Sequence, residues 1–105
     1  VVPEACQHNA HMYYLLLPDM ATRSALISYL READIYTVFH YVPLHSSPAG
    51  RNYGRYVGDM RITDTSADRL LRLPMWVGIT AEEQALVVER IYRFFGRQGD
   101  FSPAT

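Results

Sequence analysis

The chain has no lysine. All ten basic residues are arginines, so no side-chain amine is available to form a Schiff base or to act as a lysine general base. A genome rich in Arg codons accounts for such a bias without any functional meaning, but the chemical exclusion holds either way. Cysteine is nearly absent too. Cys6 stands alone, which rules out an internal disulfide framework and a CxxC metal knuckle, and its irregular surroundings offer nothing to activate it as a nucleophile. No apolar run reaches the length of a membrane span, no leader-like segment opens the chain, and no basic run occurs. With a net charge of −1, the electrostatic case for nucleic acid fails. A cytoplasmic setting is expected.

The residues present read as one globular domain. A length of 105 residues supports a modest core, and 49% apolar with 20% charged residues is the balance of a folded rather than a disordered chain. The opening Val1-Val2-Pro3-Glu4 reads like the middle of something longer, so an excised domain or processed fragment is expected.

Residues 1 to 10 lack periodicity. His11 to Leu17 is an apolar and aromatic run ended by Pro18, which predicts a strand. Asp19 or Thr22 can cap the helix that follows. From Thr22 to about Asp34, Leu26, Ile27, Leu30 and Ala33 share one face, while Arg23, Ser24, Ser28, Arg31 and Glu32 mostly take the other. Ile35 to Val42 predicts a second strand, rich in β-branched and aromatic residues. Residues 43 to 61, with three glycines and two prolines, predict a long loop. Its Tyr53 and Tyr56 argue for order, since aromatic rings tend to find something to pack on. Thr63 or Thr65 can cap a short helix with Ala67, Leu70 and Leu71 as its buried stripe. Leu73 to Val77 predicts the third strand, with Pro74 at its start or on an edge. Thr80 and Glu83 form a capping box for a helix that buries Val87, Ile91, Phe94 and Phe95 and stops at Gly96. Residues 97–105 read as a frayed tail, and Tyr13-Tyr14 and Phe94-Phe95 as core or boundary packing.

The order β-α-β-loop-α-β-α predicts an α/β (α+β) two-layer sandwich, a three-stranded sheet with helices on one face. We favour the split arrangement, in which the third strand lies between the first two and antiparallel to both.

Chemistry concentrates where the second strand ends. Phe39-His40-Tyr41-Val42-Pro43-Leu44-His45-Ser46-Ser47-Pro48-Ala49-Gly50 delivers two imidazoles, a phenol and two hydroxyls to one strand end, a common way to build a binding site. An edge strand followed by an ordinary loop is the plainer reading. The pairs His8/His11 and His40/His45, with Asp19 or Asp59, could in principle bind zinc, but neither pair has the helical i, i+4 spacing that aims two rings at one ion. Ser46 and Ser47 lie beside His45, but no glycine-flanked elbow holds either serine and no orienting carboxylate is expected nearby. Arg51 and Arg55 could clamp a phosphate, although surface arginines often do nothing specific. No self-sufficient catalytic set emerges, and no metal site is expected.

Three blocks carry a resemblance: Asn9-Ala10-His11-Met12-Tyr13-Tyr14, the Phe39–Gly50 stretch, and Arg69-Leu70-Leu71-Arg72-Leu73-Pro74-Met75-Trp76. Together they resemble successive signatures of the sugar-nucleotide aminotransferases of the DegT/StrS type, across residues 3 to 96. The resemblance implies a fold like aspartate aminotransferase, in which a large domain carries pyridoxal phosphate on a lysine and a small C-terminal domain closes over it. This chain resembles that small domain, so the Schiff-base lysine belongs to a missing N-terminal large domain and the isolated piece is expected to be inert. The implied reaction moves an amino group from glutamate to a nucleotide-linked 4-keto-6-deoxy sugar, in an enzyme expected to be a homodimer. The HY-x-P-x-H loop matches His40, Tyr41, Pro43 and His45. His40, Tyr41 and His45 are implied neighbours of the sugar nucleotide, as hydrogen-bond donors; their alternative role is to secure the domain interface. A stand-alone binding or assembly module without catalysis is the competing expectation.

Overall fold

A computed structural model describes residues 2–96; the expected tail, 97–105, lies outside them. The secondary structure runs β1 (Tyr14–Leu16), α1 (Met20–Arg31), β2 (Val38–Phe39), a 3-10 turn (Leu44–Ser46), α2 (Pro48–Tyr53), α3 (Arg61–Arg69), β3 (Leu70–Arg72) and α4 (Ala81–Phe94). The three strands form one sheet in the order β1-β3-β2. Leu15 and Phe39 both pair with Leu71, and both outer strands run antiparallel to β3. This is the split arrangement.

Each helix has a chemical reason to start and stop. Asp19, in extended backbone, accepts from the Thr22 amide at 2.7 Å and caps α1. That hydrogen bond holds the Asp19 carboxyl below the usual aspartate range. At the other end Asp34 takes a left-handed conformation, φ 57°. The Ile35 amide reaches back to the Leu30 carbonyl and the Asp34 amide to that of Arg31. This is a Schellman closure, with Ile35 folding back onto Leu30 in the core. Thr80 and Glu83 make the expected reciprocal capping box on α4. Beyond α4, Gly96 adopts φ 69°, a left-handed conformation that glycine takes without strain.

The core follows from the periodicities. Leu26 and Leu30 of α1, four residues apart, and Leu71 of the central strand are fully buried. Leu17 and Ile35 complete the cluster, with Leu15, Ile27, Val87, Ile91 and Phe94 packed around it. Tyr29 of α1 meets Phe94 of α4 at 5.5 Å between ring centroids. A fully buried leucine contributes about 1.5–3 kcal/mol, so five such side chains outweigh any surface contact described below. The opposite sheet face, carrying Tyr14, Leu16 and Val38, is open to solvent.

Four expectations need correction. The third strand is Leu70–Arg72, not Leu73–Val77. It is the central strand and must donate to both neighbours, so Pro74, without an N–H, ends the pairing instead of starting it. Leu70 and Leu71 therefore belong to the sheet and not to a helical stripe. The second strand is only two residues long, Val38 and Phe39 pairing with Arg72 and Leu71, although Ile35 and Thr37 before it are buried. α3 begins at Arg61, whose amide donates to Asp59, so neither Thr63 nor Thr65 caps it. Finally, Tyr13 and Tyr14 are exposed rather than packed; Phe95 is exposed too but meets the Phe94 ring edge-on at 4.9 Å, and of those pairs only Phe94 joins the core margin.

Candidate functional site

The segment expected to be a loop is a folded unit. Pro43 opens the 3-10 turn, and its carbonyl accepts from the amides of Ser46 and Ser47, both at 3.1 Å, and from the Ser46 hydroxyl. The Ser47 hydroxyl donates to the Leu44 carbonyl at 2.8 Å and accepts from the Gly50 amide at 3.0 Å, capping α2. Pro48 occupies the first helical turn, where a missing N–H costs nothing. Gly50 lies so close to the turn that a Cβ there would sit 1.6 Å from the Leu44 carbonyl oxygen. The letters of Pro43-Leu44-His45-Ser46-Ser47-Pro48-Ala49-Gly50 thus specify one turn-helix knuckle.

Two clefts flank this knuckle. One, of about 350 Å³, is lined by Arg23, His40, Tyr41, Ser46, Asp64 and Asp68 among others. In it His40 and Tyr41 meet edge to face at 5.1 Å, and Tyr41 is 74% exposed. The Arg72 guanidinium lies 5.6 Å from the centre of the Tyr41 ring. Arg23 lies over Phe39 and donates from Nη1 to the Ala67 carbonyl at 2.8 Å, tying α1 to α3 beneath the strand end. Among the described residues, Nδ1 of His40 is buried without a partner, as are Nε of Arg23, Nε of Arg72 and the Thr37 hydroxyl. An unsatisfied buried polar atom costs about 1–3 kcal/mol, which a bound ligand can relieve.

The other cleft, of about 400 Å³, is lined by Leu44, His45, Gly50, Arg55, Tyr56 and Thr63 among others. His45 is 10% exposed; its Nε2 lies 2.9 Å from Asp64 Oδ1, and its ring meets Tyr56 edge-on at 5.0 Å. Of the three residues singled out from the sequence, His40 and Tyr41 therefore share a cleft, while His45 faces the other and is engaged with protein. Asp64 is the carboxylate that local reading missed. It stands on a different helix, and no spacing rule links it to His45. Ser46 and Ser47 hydroxyls are both spent on backbone carbonyls, so no serine relay runs from His45.

The other candidates disperse. His8 Nδ1 accepts from the Ala10 amide, and His11 Nδ1 lies 2.7 Å from Asn9 Oδ1. Among the described residues no group of three or more His, Cys, Asp or Glu converges as a metal ion would require. Cys6, Arg51 and Arg55 are exposed. No helix among the described residues is long and apolar enough to cross a membrane.

The family signature of the DegT/DnrJ/EryC1/StrS aminotransferases matches residues 1–92. The chain belongs to that family. It is similar to a pleiotropic regulatory protein of Geobacillus stearothermophilus, 29% identical over 96 residues, which cover 90% of this chain and 26% of that protein. Its fold is similar to the crystal structure of the aminotransferase TlmJ from Streptoalloteichus hindustanus, with a TM-score of 0.75 at 21% identity, covering 90% of this chain and 24% of TlmJ. The chain thus spans about a quarter of the length of these relatives. Pyridoxal phosphate, the cofactor aminotransferases generally use, does not fit the donor set of this family member on its own. No lysine is present to hold its aldehyde, and of the two arginines considered for a phosphate, Arg51 of α2 lines neither cleft while Arg55 lines only the larger one.

Proposed function

We propose that this chain is the C-terminal small domain of a pyridoxal phosphate-dependent aminotransferase. The complete enzyme moves the amino group of glutamate onto the keto carbon of a nucleotide-linked 4-keto-6-deoxy sugar, and the product that the sequence blocks favour is dTDP-4-amino-4,6-dideoxygalactose. The family match over residues 1–92 carries this reading. The large domain would supply the lysine and the cofactor, and would cover the open sheet face of Tyr14, Leu16 and Val38; the enzyme would be a cytoplasmic homodimer. Within it, His40 and Tyr41 contribute hydrogen-bond donors to the sugar side of the site, in keeping with a partly exposed pair beside an unpartnered imidazole nitrogen. His45, on the 3-10 turn, lines the neighbouring cleft and is paired with Asp64.

The test is to supply both the 105-residue chain and the longer polypeptide that carries it with pyridoxal phosphate, glutamate and dTDP-4-keto-6-deoxyglucose. The longer polypeptide should retain cofactor absorbance and aminate the sugar, and the short chain should do neither. Turnover by the short chain alone, or none by the longer one, would refute the reading. A non-catalytic module is the second reading, favoured by the regulatory name of the Geobacillus stearothermophilus relative. Sugar-nucleotide binding without amination by the longer polypeptide would select it.

A further inference from the structure

The two clefts lie on either side of the knuckle, whose residues line both. The hydrogen bonds that shape the knuckle are internal to it: Ser46 and Ser47 to Pro43 and Leu44, Gly50 to Ser47, Arg51 to Ser47, and Gly54 to Gly50. They fix its own form but attach it to nothing. At its root, Phe39 is held by β3 and by Arg23. At its apex, the one hydrogen-bonded link to another element among the described residues is His45 Nε2 to Asp64 Oδ1, on α3. Asp64 itself is set firmly, because its amide donates to the Met60 carbonyl in the first turn of α3. Tyr56, packed against the His45 ring, keeps that ring from swinging away.

We propose that Asp64 is a positioning residue. Acting through His45, it seats the 40–56 knuckle on α3 and so sets the separation between α3 and the His40–Tyr41 pair across the smaller cleft. His45 then serves as the bracket rather than as a donor to the ligand. The 10% exposure of His45 against 74% for Tyr41 fits that division of labour. A hydrogen bond with a charged partner is stronger than a neutral one. The pair is also half shielded, so its effect falls on the local opening of the knuckle more than on global stability.

Amide hydrogen exchange on the chain decides this without reference to catalysis. In Asp64→Ala, the amides of Ser46, Ser47 and Gly50 should exchange about five- to tenfold faster, while those of Leu26, Leu30 and Leu71 keep their rates. His45→Ala should act equally, and the double variant should be no faster than either single one. Asp64→Asn, which retains an acceptor oxygen, should recover part of the protection. Unchanged exchange at the knuckle, additive effects in the double variant, or equal acceleration in the core would each overturn the proposal. The kinetic consequence rests on the aminotransferase reading. In the longer enzyme, Asp64→Ala should raise KM for the sugar nucleotide several-fold and leave KM for glutamate unchanged; a rise in both, or in neither, would contradict it. Should the longer polypeptide prove not to transaminate, that reading fails, while the exchange result still decides the role of Asp64.

Discussion

The sandwich and the knuckle are stabilised by different physics. In the sandwich, Leu17, Leu26, Leu30, Ile35 and Leu71 are buried together, and burial is additive and tolerant of how the side chains are arranged. In the knuckle, from residue 40 to 56, no side chain is fully buried. Its form comes from short polar contacts, a proline in a first helical turn and one glycine against a carbonyl oxygen. The fold thus separates a stable platform from a presented edge. The edge is shaped accurately without contributing much to the stability of the whole.

Substitutions can break that comparison. The largest effect is expected for Leu30→Ala, which removes a fully buried side chain and should lower unfolding stability by about 3 kcal/mol in chemical denaturation. Gly50→Ala comes next. Its Cβ cannot coexist with the Leu44 carbonyl at 1.6 Å, so α2 must move off the turn, at a local cost of about 2 kcal/mol. Amide exchange across 44–54 should rise while the midpoint of global unfolding barely moves. A loss of global stability as large as that of Leu30→Ala would mean that platform and edge unfold as one. Thr80→Ala removes half of a capping box and should cost about 1 kcal/mol, all of it in the platform.

The smallest effect is expected at Asp19 and depends on pH. Its carboxyl is more acidic in the folded chain than in the unfolded one. The unfolded state therefore takes up the proton first as pH falls, and the stabilising contribution is fully present above the ordinary aspartate value of 3.8. It is lost as pH drops through the lowered folded value. The gap in melting temperature between the native chain and Asp19→Ala should close in strong acid. A gap that widens there would reverse the sign of the argument.

The same division explains what could be read from the sequence. Periodic burial is written in consecutive residues, so the α1 face of Leu26 and Leu30 and the Thr80–Glu83 box were legible; the β1-β3-β2 order agrees with the favoured split arrangement, but no residue pattern dictates it. The position of β3 was not. Leu73 to Val77 looks more like a strand than Leu70–Arg72 until one knows that this strand is central and that Pro74 must therefore stand outside it. α2 was hidden because six residues with a glycine in the middle, Pro48–Tyr53, have no apolar stripe. The Ser47-Pro48 pair, a cap followed by a first-turn proline, was the available signal. Asp64 left no trace, since a contact between a turn and a helix far downstream obeys no local spacing. Its discovery required the fold.

We propose that the platform holds His40 where a sugar nucleotide meets it. If the proposed aminotransferase reading holds, the two half-reactions compared in the longer polypeptide carrying His40→Gln decide it. The sugar nucleotide should bind about tenfold more weakly while the glutamate half-reaction keeps its rate. Unaltered sugar binding, or equal damage to both halves, would contradict it.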